Sequence, residues 1–207
     1  MGSVDTTDDN RQFKYEYRAS SLGSCIKSLI AGRLGYEPLD VWSDMQILKE
    51  GDLHEGDVVN RLREQGFIIS RQQQELEYVL SGFGVRITGH IDGVSQYRRS
   101  ENETDPPCLL EIKSMGDSSF KDFKRRGWGT PGLIQKYKWQ TSFYMLMLNM
   151  PMMFVCKNRN SGEIYTDLVK VPFYSLAEIV ARITAIEIAA RNNDIPEKCE
   201  WAMYPCP

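Results

Sequence analysis

The sequence predicts an α/β (α+β mixed) domain in which a central mixed β-sheet is flanked by helices. Three observations carry that prediction. Two helix-like segments open the chain; from about Glu75 the pattern changes to short β-rich runs broken by Gly, Asn, Pro and Ser; and a helix-length apolar segment then separates those strands from a final strand–helix pair. No internal repeat or low-complexity stretch interrupts this order.

Residues 1–12, "MGSVDTTDDNRQ", are polar and read as a disordered terminal tail, leaving 13–207 as one domain. "SSLGSCIKSLIAGRLGY" reads as a first helix, capped by Ser20 or Ser21 and stopped at Gly35. "SDMQILKEGDLHEGDVVNRLREQG" reads as a second, with Ser43 and Gln46 at capping-box spacing and Gly66 at its end. Strands are expected at "ELEYVL", "GVRITGHIDGVSQY", "CLLEIKS", "PMMFVCKN" and "EIYTDLVKVPF". "LIQKYKWQTSFYMLML" has helical length and spacing, and the last helix starts at Ser175, where Glu178 completes a capping box.

Composition narrows the class. The chain has 207 residues, of which 42% are hydrophobic and 26% charged, enough for a continuous core. No apolar run is long enough to span a bilayer and no charged-then-apolar leader opens the chain, so a cytoplasmic protein without membrane contact is expected. A formal net charge of −3 gives no global attraction to nucleic acid, so any basic surface must be local. Five cysteines in an intracellular setting suggest free thiols or metal ligation rather than a disulfide framework.

The chemistry lies in "GHIDGV" and "CLLEIKS". Charged residues in strand-like runs are costly unless they face water, pair, or hold a metal. Residues two apart in a strand share a face, so Glu111 and Lys113 project together while Leu110 and Ile112 point the other way. The polar connection "RRSENETDPP" is long enough for a hairpin-like return that brings Asp92 to Glu111. Two carboxylates so placed need a cation, and hard oxygen ligands favour Mg²⁺ or Mn²⁺. Lys113 can then help deprotonate water or stabilise phosphate charge. The plain alternative is a solvated Glu–Lys pair worth little.

Asp92 followed by Glu-x-Lys on the next strand resembles the PD-(D/E)XK nuclease superfamily, and in particular its RecB-like exonucleases. The subfamily's helical Gly-x-x-His is matched by Gly51 and His54, and its Gln-x-x-x-Tyr by Gln140 and Tyr144; the motifs run in order from His54 to Tyr144. The first acid sits in "HID" rather than "PD". The resemblance implies a restriction-endonuclease-like core and a metal-dependent DNA exonuclease acting on single-stranded DNA or duplex ends, in recombination, repair, replication or CRISPR adaptation. It implies that His54, Asp92, Glu111 and the Ile112 carbonyl bind metal, that Lys113 aids the attacking water, that Gln140 orients one of them, and that Tyr144 contacts the nucleic acid. A nuclease-fold binding module and a structure-specific endonuclease remain as alternatives.

Residues 115–139 concentrate Lys121, Lys124, Arg125, Arg126 and Lys136, interleaved with Phe120, Phe123, Trp128 and Trp139. Cations neutralise phosphates and flat rings stack on bases, so this segment is expected to contact DNA, with Gly127 and Gly129 letting Trp128 move as a gate. In the resembled nucleases an N-terminal helical cysteine joins three late cysteines around a [4Fe–4S] cluster. Cys25, Cys199 and Cys206 match three of those positions. The fourth ligand is then a residue beyond Pro207 or a non-cysteine group; otherwise no cluster forms, and zinc would need the same ligand. Cys108 and Cys156 read as packed strand residues.

Overall fold

The alternation in "CLLEIKSM" organises the molecule. In a computed structural model describing residues 13–36 and 41–197, strand β7 (Cys108–Met115) lies at the centre of a mixed sheet. It pairs antiparallel with β5 (Gly93–Ser100) and parallel with β8 (Met152–Asn158). β2 (Phe67–Ser70) and β9 (Ile164–Val169) complete the strand order β2-β5-β7-β8-β9, with β6 (Glu103–Thr104) beside β5. A second sheet has the order β1-β4-β3, from Tyr15–Arg18, Val85–Ile91 and Gln74–Leu80. The expected tail at 1–12, Cys199 and Cys206 lie outside the described residues.

Helices cover both faces of the larger sheet. On one, α2 (Val41–Glu64) sets Val58, Val59 and Leu62 against Leu110, Ile112, Met153 and Val155. On the other, Leu109, Met115, Phe154 and Cys156 join the main core with residues of α1 (Ile26–Arg33), α3 (Asp117–Arg126), α4 (Leu133–Leu148), α5 (Leu176–Arg191) and the smaller sheet. Among the described residues, no helix is long and apolar enough to cross a membrane.

Four expectations need correction. "GVRITGHIDGVSQY" is not one strand: it breaks at Asp92, with β4 entering one sheet and β5 the other. The first helix begins at Ile26 rather than after Ser20 or Ser21, which belong to a short 3₁₀ turn where Ser21 Oγ donates to the Arg18 carbonyl. Gly23 then lies so close to α4 that a Cβ there would stand 2.5 Å from Lys136 Cα. α2 opens at Val41, so Ser43 lies inside the helix rather than at its cap. Residues 117–126, expected as part of a basic and aromatic segment with no helix assigned to it, are helix α3. The Ser175–Glu178 capping box is present, with Ser175 N donating to Glu178 Oε2 at 2.7 Å and Glu178 N to Ser175 Oγ at 3.3 Å.

A buried charged knot ties the N-terminal strand to the last helix. Glu187, 0% exposed, accepts from Tyr17 Oη at 2.6 Å and from Arg33 Nε at 2.7 Å. β1, α1 and α5 are thereby joined behind the central sheet.

Gly89, in the middle of β4, allows α4 to approach the sheet. A Cβ at Gly89 would meet Tyr144 Cε1 and Oη at 2.7 Å and Ala19 Cβ at 2.8 Å. Gly89→Ala is therefore expected to cost about 1–3 kcal/mol through overpacking, read as a lower urea midpoint. An unchanged midpoint would mean that Tyr144 is not seated over β4.

Candidate active site

Asp92 occupies the bend where the chain leaves one sheet for the other, and the register Gly93↔Leu110 brings it beside Glu111 and Ile112. Ile112 N donates to Asp92 Oδ2 at 2.6 Å, which locks the carboxylate onto the neighbouring strand. Glu111 is 1% exposed because its face of β7 is covered by the main core. Its Oε1 is ion-paired with the Lys113 ammonium, and its Oε2 accepts no hydrogen bond among the described residues. The hairpin-like return thus joins the three side chains expected from sequence. The site lies on a central strand, not at a solvated rim.

Burial sets the electrostatics. It pushes the Glu111 carboxyl above the ordinary carboxylate range; Lys113 opposes that shift, while Asp92 and Glu55 add to it. Burial also raises Asp92, against the pull of Lys113 and the Ile112 N–H. For Lys113 burial works against the charge, but the Glu111 and Asp92 carboxylates outweigh it and the net shift is upward. Lys113 is therefore held as an ammonium, suited to stabilising negative charge and unsuited to accepting a proton.

Helix α4 lays one stripe over this group. Tyr137, Gln140 and Tyr144 fall at i, i+3 and i+7. Lys113 Nζ lies 5.6 Å from the Tyr137 ring centroid. Gln140 Nε2 donates to Tyr144 Oη at 3.3 Å. Tyr144 is 2% exposed, so its phenol faces the interior rather than a strand of nucleic acid, and burial raises its proton affinity. Tyr137 was not singled out from sequence, although it extends the Gln-x-x-x-Tyr stripe by one turn toward the helix start.

The other expected site residues are placed differently. His54 Nδ1 lies 3.1 Å from Lys157 Nζ, and Lys157 also pairs with Asp57 Oδ2 at 2.8 Å. Among the described residues no three His, Cys, Asp or Glu side chains form a ready metal-binding group. The donor chemistry nonetheless suits a divalent ion at Asp92 and Glu111, because a buried carboxylate oxygen there has no hydrogen-bond donor.

The rings of 115–139 turn inward. Phe120 and Phe123 are core residues. Trp128 packs on Phe123, Phe154 and Phe173, and its Nε1–H donates to Asp167 Oδ2 at 2.7 Å, an anchor incompatible with a free gate. Trp139 stacks on Tyr174 at 3.8 Å. Of the cations, Lys121 pairs with Asp117, Lys124 with Glu163 and Arg125 with Asp122, at 2.7, 2.6 and 2.6 Å. Cys25 is buried at the start of α1, and Lys27 Nζ reaches the Glu197 carbonyl at 3.5 Å, bringing the C-terminal segment to that helix.

No family model and no curated protein matches the chain. Among solved structures it is similar to an alkaline exonuclease, LHK-Exo, from Laribacter hongkongensis, with a TM-score of 0.56 and 13% identity over 86% of this chain and 89% of that one. It is also similar to a protein described as SSO0001, with a TM-score of 0.50 and 15% identity over 89% and 78% of the two chains. The chain therefore shares the fold of that alkaline exonuclease, a mixed central sheet flanked by helices, as expected from the sequence.

Raised carboxyl proton affinities carry a stability consequence. Where the folded form holds protons that the unfolded chain has released, stability is fullest below the unfolded value and falls as pH rises toward the folded one. The Glu111 and Asp92 contribution to metal-free stability should therefore fall as pH rises above the ordinary Glu value of about 4.3, against the opposite contribution of Glu16, Asp57, Asp117 and Glu178, whose carboxyls are held low. Glu111→Gln should flatten that decline in a melting series. An equal slope in both proteins would show that the Glu111 carboxyl is not burdened by burial.

Proposed function

We propose that this chain, built on the PD-(D/E)XK nuclease fold, is a divalent-metal-dependent deoxyribonuclease that shortens DNA from an end. The observation that carries the reading is the buried Asp92–Glu111–Lys113 group, in which a carboxylate oxygen of Glu111 lacks a hydrogen-bond donor inside the protein. The Asp92 and Glu111 carboxylates and the Ile112 carbonyl would hold Mg²⁺ or Mn²⁺. Such an ion, when bound, supplies Lewis-acid stabilisation of phosphate charge.

The chain's own groups then have separable roles. Asp92, fixed by the Ile112 N–H, keeps one ligand rigid. Lys113 stays protonated and offsets negative charge on the phosphate under attack. Tyr137 flanks the Lys113 ammonium, while Gln140 and Tyr144 close the site against α4.

DNA would run along the basic outer face of α3, where Lys121, Lys124 and Arg125 project opposite Phe120 and Phe123, with Arg126 and Lys136 extending the track. Their ion pairs are exposed and screened by water, so phosphates can displace the carboxylates at little cost. The order of events is binding by cations, seating of the end, then hydrolysis.

End-labelled linear DNA, closed circular DNA and RNA, each incubated with Mg²⁺, Mn²⁺ or EDTA, test this function. Linear DNA should shorten from its ends only with metal, and circles should survive. Glu111→Gln and Lys113→Ala should each lower the rate by roughly 10²–10³-fold. Cleavage of closed circles would make the protein an endonuclease, and full activity in Glu111→Gln would overturn the catalytic reading.

A further inference from the structure

We infer that the turn between β2 and β3, together with the last turn of α2, forms a binding site for the phosphodiester backbone of DNA, with Arg63, Arg71, Gln72 and Gln74 as its donors. The inference rests on the proposed nuclease reading and names a place beside the sheet break where that substrate's backbone is gripped.

Two stretches of chain cross between the sheets side by side. β2 pairs with β5 as far as Ser70↔Val94, and β3 takes up its pairing with β4 at Gln74↔Ile91. Arg71, Gln72 and Gln73 therefore run alongside Asp92 and Gly93, where the chain changes sheets. The two crossings touch: Gln73 N donates to the Ile91 carbonyl at 2.9 Å, and a Cβ at Gly93 would stand 3.1 Å from the Ser70 carbonyl oxygen. Arg71 and Gln73 have φ of +51° and +54°. Left-handed backbone in residues other than glycine is sparsely populated and is kept where the surroundings over-determine the chain. All three turn residues are nonetheless exposed, so the turn is an ordered rim at the surface rather than a buried support.

The hydrogen bonds of this rim all run one way. Arg63 Nη2 donates to Gln72 Oε1 at 2.8 Å, and Arg71 Nε donates to Gln74 Oε1 at 2.5 Å. A guanidinium only donates, so each amide must turn its oxygen inward to the arginine and its two N–H donors away from it. Gln73 Nε2 donates to Glu55 Oε1 at 2.9 Å and, with the Arg63–Gln72 bond, pins the turn to α2 at two points. Among the described residues neither Arg63 nor Arg71 pairs with a carboxylate, whereas Arg61, Arg86, Arg99 and Arg125 do. The rim therefore keeps two positive charges and offers N–H groups with their acceptors already engaged.

A positive surface made of donors selects an oxyanion, and the planar guanidinium fork matches phosphate oxygens. Position decides which phosphate: the rim adjoins Asp92, so the backbone of a strand whose scissile bond lies at the acids would pass over it. Exposure decides the form. Arg63, Arg71 and Gln72 lie open at the surface, which suits a diester running past, whereas a terminal monoester with its extra charge calls for an enclosing pocket. Contacts of this kind fix register and carry no base sequence information.

Fluorescence anisotropy of labelled single-stranded DNA with the full chain in EDTA, over a salt series, tests the site without requiring hydrolysis. Each phosphate neutralised on a single strand contributes about −0.7 to the slope of log K against log salt, so Arg63→Gln with Arg71→Gln should flatten that slope by about 1.4. Affinity should fall alike for strands of different sequence. Arg63→Lys with Arg71→Lys should keep the slope and still weaken binding, because the charge stays and the fork is lost. Arg191→Gln, which removes the same charge from α5, should leave the slope unchanged. The loss should also be equal for 5′-phosphorylated and 5′-hydroxyl strands; a loss confined to phosphorylated ends overturns the backbone assignment. Unchanged slope and affinity in the glutamine pair overturn the site while leaving the nuclease reading to the cleavage of linear DNA, and a lower Tm with unchanged affinity overturns it as a purely structural role. If the unsubstituted chain binds no DNA, the nuclease reading itself fails and takes this site with it.

Discussion

Glu111 sits in the central strand, 1% exposed, with one oxygen paired to Lys113 and the other without a hydrogen-bond donor. A buried ion that is incompletely compensated costs several kcal/mol. Around it, apolar burial is worth about 1.5–3 kcal/mol per fully buried large side chain, and the cluster beneath α2 alone holds seven buried residues. The hydrophobic layers on both faces of the sheet therefore outweigh the polar defect at its centre. The sheet break at Asp92 and the α4 stripe converge on that defect, which makes it the feature the rest of the architecture accommodates.

Lys113 illustrates how this constraint selects among chemical roles. An amine used as a base must release its proton readily, and the two carboxylates beside Lys113 prevent that. In the proposed reaction its use is electrostatic, and it depends on the same burial that raises Glu111. The preorganisation is provided in advance by Asp92 accepting the Ile112 N–H and by Gly89 letting α4 close over the strand.

Much of the fold was legible where periodicity was strong. "LIQKYKWQTSFYMLML" is helical over the residues expected, and the Ser175 box marks the true start of α5. Glu111 and Lys113 could be placed together because period two admits no other arrangement. The misreadings have physical causes. Asp92 breaks a run that has strand propensity throughout, because the chain there changes sheets, a tertiary event with no local signature. α3 was missed because the segment was read for its cations and rings rather than for its period; Phe120 and Phe123 facing inward against Lys121, Lys124 and Arg125 outward is the pattern that could have shown it. Short β1 and β2 carry too few residues to display alternation.

The central claim is that Asp92 and Glu111 share one divalent cation at the sheet break. Diffraction from crystals soaked in Mn²⁺, recorded for its anomalous signal, locates that ion without reference to activity. The account predicts a peak within coordinating distance of both carboxylates. A peak elsewhere with those carboxylates unliganded, or no peak beside them at saturating Mn²⁺, would contradict it.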